Sequence, residues 1–277
     1  MSALGYSLKT YRSAIAIATI CLMTAATLAA NDMALAQNRR SKYGLGSLPE
    51  TAKTSGGTRR PGELSRIVVI SPDDGALAFS DRPTFYWYIV AFPGDPANTP
   101  FEQEFLLQQR WQKQNPEDKP LVEKIFNQKA TTTKPGLYRV TLPPTGISLI
   151  PNVDRQWKIR LHGQGENSSN FLIRMENKPA AIAELSKAKT DLEKARIYER
   201  YGYWYDAFDA YTRWLEVNPK DKVARRERAN MIEIGLKDNR DFSDNGQPNL
   251  KLLSELQSKI DTSVATDLAP HTVENKP

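Results

Sequence analysis

Between Glu63 and Glu176 the apolar residues recur at every second position in short runs, broken by Pro, Gly, Asn and Asp. Beyond Pro179 they recur at helical spacing. Ile67-Val-Val-Ile70 is a continuous apolar run, the mark of a strand covered on both faces. Ser71-Pro-Asp-Asp-Gly75 supplies a turn, because Pro fixes φ and Asp-Gly tolerates a tight reversal. After Asp81-Arg-Pro83 a strand follows in which Phe85, Trp87 and Ile89 face one way and Tyr86, Tyr88 and Val90 the other. Phe101, Gln103, Phe105 and Leu107 alternate with Glu102, Glu104, Leu106 and Gln108. Leu121 to Lys129 fits a strand or a short helix, and its place behind the Asn115 to Pro120 loop favours a strand. Gly136 to Leu142 alternates again. So do Trp157, Ile159 and Leu161 against Lys158, Arg160 and His162, and Phe171, Ile173 and Met175 against Leu172, Arg174 and Glu176. No helix separates these runs, so the predicted pairing is antiparallel. The expected fold over 63–177 is an immunoglobulin-like β-sandwich of about seven strands, its core anchored by Trp87 and Trp157.

The helical period governs 178–238, which makes the chain α+β. Ala181, Leu185 and Ala188 mark a short helix. Thr190-Asp-Leu-Glu193 spells a capping box in front of Leu192, Ala195 and Tyr198. Gly202 turns the chain. Ala207, Ala210, Tyr211 and Trp214 stripe the next helix as far as Asn218-Pro219, and another runs from about Asp221 to Leu236. Tyr198 to Tyr211 holds five tyrosines and a tryptophan. Tyr198, Trp204, Tyr211 and Trp214 are read as a structural aromatic seam, with Tyr203 and Trp204 sealing the hairpin against the sandwich. Residues 239–277 read as a polar, largely disordered tail, in which Leu253, Leu256 and Ile260 share one face of a stretch that either docks or stays loose.

The N-terminus changes the picture. Lys9 and Arg12 precede the apolar run Ser13 to Ala30, and Ala34-Leu35-Ala36 ends it. This is the pattern of a secretory signal over 1–36, cut after Ala36 or, alternatively, after Ala30. A retained anchor is the competing reading and would be the chain's one link to a membrane. The single cysteine, Cys21, lies in that leader, so the mature chain would have neither disulfides nor thiolate chemistry. The expected location is periplasmic or secreted. Residues 37–62, rich in Gly, Ser, Thr and basic residues, read as a flexible arm. A net charge of +6 without a long basic run gives no case for nucleic-acid binding.

Two resemblances add to this. Gly202-Tyr-Trp-Tyr-Asp-Ala207, Tyr211, Leu215 and Asn218-Pro219 resemble the second half of a tetratricopeptide repeat, with Trp214 standing where that motif has a small residue. Leu77 to Tyr88 with its Arg-Pro-Thr-Phe block, Phe105 to Gln108, Pro135-Gly136-Leu, Gln156-Trp157, Phe171 to Arg174 and Tyr201 to Ala207 resemble a cyanobacterial family of exported proteins, domain of unknown function number 928. That resemblance covers about Ser71 to Leu236. It implies an architecture and a compartment, and no activity.

Candidate chemistry is sparse. His162 and His271 are the two histidines, too few with no cysteine for an ordinary zinc site. Asp73-Asp74-Gly75 lacks the spaced ligands of a calcium loop. There is no phosphate-loop motif and no Gly-x-Ser-x-Gly elbow. No catalytic residue, metal or cofactor is therefore expected, and the chain reads as a non-enzyme whose partner is another envelope protein. The candidate interaction surface is Tyr86, Tyr88, Arg160, His162, Arg225 and Arg226, with helical cover the competing explanation for the two tyrosines. The alternative is a glycan-binding or glycan-processing module, for which Glu102, Glu104 and Asp154 are the carboxylates to test across a cleft.

Overall fold

The computed structural model of the chain describes residues 43–45, 67–72, 75–90, 100–109, 123–132, 134–162, 166–167, 171–237, 243–244, 247–248 and 250–269. The leader with its cleavage site, most of the arm, Asp73 and Asp74, the Asn115 to Pro120 loop and His271 lie outside the described residues.

The alternating runs form β1 (Ile67–Val69), β2 (Ala76–Ala78), β3 (Thr84–Ile89), β4 (Phe101–Gln109), β5 (Glu123–Thr132), β6 (Gly136–Thr141), β7 (Asp154–His162), β8 (Glu166–Asn167) and β9 (Phe171–Met175). The helical period forms α1 (Pro179–Leu185), α2 (Asp191–Tyr201), α3 (Trp204–Val217) and α4 (Lys222–Lys237). A small hairpin follows, β10 (Ser243–Asp244) with β11 (Gln247–Pro248), then α5 (Leu250–Thr262) and β12 (Thr266–Asp267). The chain is α+β, with two sheets packed face to face and five helices among the described residues.

One sheet has the order β1-β3-β6-β12, the other β2-β9-β7-β4-β5 with β8 on β7. Most pairings are antiparallel, as the spacing predicts, but two edge pairings are parallel: β2 on β9 and β12 on β6. Neither comes from a hairpin. Strand β2 sits between two strands of the opposite sheet in sequence, and β12 arrives from beyond the helices, so sequence neighbours do not dictate their direction.

The register fixes what each face does. Phe85, Trp87 and Ile89 point between the sheets and meet Phe105, Trp157 and Ile159, all fully buried. Phe85 lies 4.9 Å from both Phe105 and Trp157, in tilted contacts. Each buried indole finds an acceptor, Trp87 in Gln103 Oε1 at 2.7 Å and Trp157 in the Tyr205 hydroxyl at 2.8 Å.

The helices cover the outer face of the four-stranded sheet. Helix α2 starts with the expected capping box: Glu193 N donates to Thr190 Oγ1 and Thr190 N to Glu193 Oε2, both at 3.1 Å. It ends at Gly202, which takes the left-handed conformation (φ 83°) that a Cβ would disfavour. Helix α3 then runs back along α2, tied by Tyr211 to Glu199 and Arg213 to Asp191. Helix α3 buries Trp204, Tyr205, Asp206, Ala207, Phe208, Ala210, Tyr211, Thr212 and Leu215.

Two expectations for the ends give way. Tyr43, in the arm, is buried with its ring 5.0 Å from Trp204, so the arm is not wholly a solvated linker. The tail is ordered structure over 250–269: Leu253, Leu256 and Ile260 pack on the body, and Leu268 is buried beyond β12. The apolar face at helical spacing is what docks it.

Candidate binding face

Tyr86 leaves the candidate surface. It is 2% exposed, packed against Phe208 at 4.9 Å, and donates to Asp209 Oδ1 at 2.7 Å. Its neighbour Tyr88 is half-buried against the same core. Helical cover accounts for Tyr86.

Arg225 is also engaged. It donates to Asp261 O at 2.9 Å, to Asp261 Oδ2 at 3.3 Å and to Pro219 O at 2.8 Å. Arg228, 3% exposed, donates to the same Asp261 carbonyl and carboxylate at 2.6 and 3.1 Å. Both guanidinium groups thus sit on the C-terminal turn of α5, where the helix dipole favours cations. Their physical role is to clamp α5 to α4, and of the pair named from sequence Arg226 alone remains exposed.

The aromatic residues sort differently from a single seam. Tyr198 lies against Phe79 and Tyr203, with centroids at 5.6 and 6.3 Å. Tyr211 is fully buried between α2 and α3 and donates to Glu199 Oε2 at 2.8 Å. Trp214 donates to Asp221 Oδ2 at 2.9 Å, and Asp221 in turn accepts from Val223 and Ala224 at the start of α4. Trp204 turns to the sandwich, donating to Ile70 O at 3.2 Å. Two residues that sequence reasoning passed over finish that joint. The Tyr205 hydroxyl accepts from Trp157 and bonds Ser71 Oγ at 3.2 Å. The Asp206 carboxylate accepts from Phe79 N at 2.6 Å and Ser80 N at 2.9 Å. Burial pushes the Asp206 carboxyl up to about 6, against those two backbone hydrogen bonds, which favour the charged form. The available signal was chemical: a Tyr and an Asp in the first turn of a helix, directly after Trp204.

On the other side of the sandwich, β5, β4 and β7 turn Lys124, Asn127, Lys129, Glu102, Glu104, Lys158, Arg160 and His162 outward together. Glu104 is 4% exposed at the centre of this face. It accepts from Asn127 Nδ2 at 3.0 Å and lies 3.0 Å from His162 Nε2; Arg160 and Lys129 approach at 3.5 and 3.9 Å. Burial alone would raise its pKa, but the hydrogen bonds from Asn127 and His162 and the two cations outweigh it, so the carboxyl is held below its usual range. The carboxylate partner that sequence could not name for His162 is Glu104. Kept charged and ringed by donors, Glu104 anchors the face and is poorly placed to donate a proton to a substrate.

The three acids proposed for glycoside chemistry do not oppose one another. Glu102 and Glu104 follow each other on one face of one strand. Asp154 pairs with Arg174 at 2.6 Å, six residues along β7 from the position opposite Glu104, which is about 20 Å at the rise of a strand. Among the described residues no group of three or more His, Cys, Asp or Glu could hold a metal ion, and no helix is long and apolar enough to cross a membrane.

Residues 54–241 match the family described as Domain of Unknown Function (DUF928). The chain belongs to that family. No curated protein matches it. The DUF928 match takes in both sheets, apart from β12, and helices α1 to α4, so the sandwich and the helices that cover it fall within one family match.

Proposed function

We propose that this DUF928 chain is an exported, non-enzymatic binding or scaffolding protein of the cell envelope. Its contact surface is the outer face of the six-stranded sheet, and its partner another envelope protein. The observation that carries the reading is the asymmetry of the sandwich. One outer face is covered by the helices, α3 among them at Tyr86, while the other offers a row of cations around a single locked carboxylate. A buried carboxylate held in its charged form suits recognition better than proton transfer.

The leader pattern at Lys9, Arg12 and Ala34-Leu35-Ala36 supports export to the periplasm or beyond. The tetratricopeptide-like register of Gly202, Ala207, Tyr211, Leu215 and Pro219 and the immunoglobulin-like layering support a buttressed docking platform, by analogy of architecture. The test is fractionation of cells followed by capture of partners on the tagged full chain from envelope extract, with and without crosslinking. The expected result is an envelope location and a reproducible protein partner. A cytosolic location, or no reproducible partner under either condition, overturns the reading.

A further inference from the structure

The cations on the outer face of the six-stranded sheet are not matched by anions. Lys124 and Lys129 stand on β5, Lys158 and Arg160 on β7, and between them β4 contributes Glu104 with Glu102 at the rim. The closest partners of Glu104 are Asn127 and His162, both at 3.0 Å. Arg160 and Lys129 reach it at 3.5 and 3.9 Å, which leaves most of their donors unused. Neither Lys124 nor Lys158 makes an ion pair with a carboxylate among the described residues. Lys158 is half-buried, and burial together with the charges of Arg160 and Lys124 lowers its pKa against the opposing pull of Glu104. Its charge therefore sits in a site whose surroundings disfavour it, and an anion from outside would relieve that repulsion.

The spacing narrows the anion. Lys158 and Arg160 are alternate residues of one strand, about 6.6 Å apart along it, and strands β5, β4 and β7 lie about 4.8 Å from one another. From the Lys124 row to the Arg160 row is four residues of β4, about 13 Å. An extended polypeptide presents alternate side chains at the interval that separates Lys158 from Arg160, and two such intervals, about 13 Å, span the roughly 12 Å that runs from Lys158 diagonally across two strands to Lys124. We infer that this face binds an extended acidic segment of a partner polypeptide, with carboxylates at alternate positions meeting Lys124, Lys158 and Arg160. The inference rests on the proposed role of this face as the contact surface.

The test uses the full chain and fluorescein-labelled twelve-residue peptides, (Glu-Ser)6 and its isomer (Glu-Glu-Ser-Ser)3, read by fluorescence anisotropy across a salt series. The alternating peptide should bind at least fivefold tighter than its isomer. The Lys124→Gln, Lys158→Gln pair should weaken it at least fivefold and flatten the salt dependence. A pair with the same change in net charge on α4, Lys222→Gln with Arg226→Gln, should leave binding within twofold. Carbodiimide coupling of the peptide to the wild-type chain, mapped by mass spectrometry, should mark Lys124 or Lys158, so the proposal stays testable if a variant misfolds. No binding, equal loss in both pairs, coupling elsewhere, or tighter binding to polygalacturonate or to anionic phospholipid vesicles overturns it. If the Lys124/Lys158 pair still captures the envelope partner, this inference fails while the binding role stands; absence of any partner sinks the role itself.

Discussion

Replacing Tyr205 by Phe removes one oxygen atom and nothing else from the joint between helices and sandwich. The ring keeps its contacts with Phe85 at 5.4 Å and Trp157 at 6.3 Å, so no cavity opens. What is lost is the acceptor for Trp157 Nε1, the partner of the fully buried Ser71 hydroxyl, and a longer bond to Leu172 O at 3.4 Å. Leaving the indole N–H unsatisfied in a dry core costs about 1–3 kcal/mol, and the weaker bonds about 1 kcal/mol more. Tyr205→Phe should therefore destabilise the protein by about 2–4 kcal/mol. With a urea m-value of about 2–3 kcal/mol per M, the midpoint falls by about 1 M at unchanged m. Circular dichroism in the far ultraviolet reads helices and strands together. If the joint makes them one folding unit, a single transition moves as a whole. Trp157→Phe deletes the same bond from the other side, so the double variant should lose about 1–2 kcal/mol less than the two singles added. A midpoint shift under about 0.3 M, additive singles, or a separate early melting of the helices would refute the reasoning.

Gly235 on α4 faces Trp204, and a Cβ there would stand 2.8 Å from Trp204 Cζ2. Gly235→Ala should lower Tm through about 1–3 kcal/mol of overpacking, against the roughly 1 kcal/mol that alanine adds in an exposed helix. The Asp206 carboxyl, raised to about 6 from an ordinary 3.8, favours the fold most when protonated. That contribution is fully present below about pH 4 and lost as pH rises through 6, so Asp206→Asn should flatten the stability profile by about 1–3 kcal/mol between pH 4 and 7, read as urea midpoints. Asp261→Ala leaves the buried Arg228 charge without its carboxylate, and should speed amide exchange in α5 ahead of global unfolding, with a stability loss of about 3 kcal/mol.

Which face each strand residue takes was legible in the sequence, because alternation is local. Phe85, Trp87 and Ile89 separate from Tyr86 and Tyr88 on pattern alone, and so do Trp157 and Ile159 from Lys158 and Arg160. Thr190 with Glu193 and the turn at Gly202 were legible for the same reason. Register was not. That Glu104 stands opposite Arg160 and diagonal to His162 depends on how β4 slides along β7, and nothing within either strand specifies the slide. The same gap hid the parallel edges, since β12 reaches β6 from 128 residues away along the chain at Arg139 and Asp267. Arg225 and Arg226 show the limit from another side. One pattern of helical cations holds a residue consumed by Asp261 and a residue facing solvent, and the difference lies entirely in where α5 docks.

The start of α3 explains why helices and sandwich should be inseparable. Its N-cap, Tyr203, offers no side-chain hydrogen bond to the first turn. The next three side chains all bond to the sandwich: Trp204 to Ile70, Tyr205 to Trp157 and Ser71, Asp206 to Phe79 and Ser80. An isolated helix opening with Trp-Tyr-Asp would begin without a cap and with two large rings in water, and short uncapped helices are marginal. Docking removes both penalties at once and satisfies two backbone N–H groups of the corner after β2. The Trp-Tyr-Asp-Ala block is thus at the same time a helix start and a tertiary joint. With one outer face of the sandwich committed to it, the proposed recognition is left to the face built around Glu104.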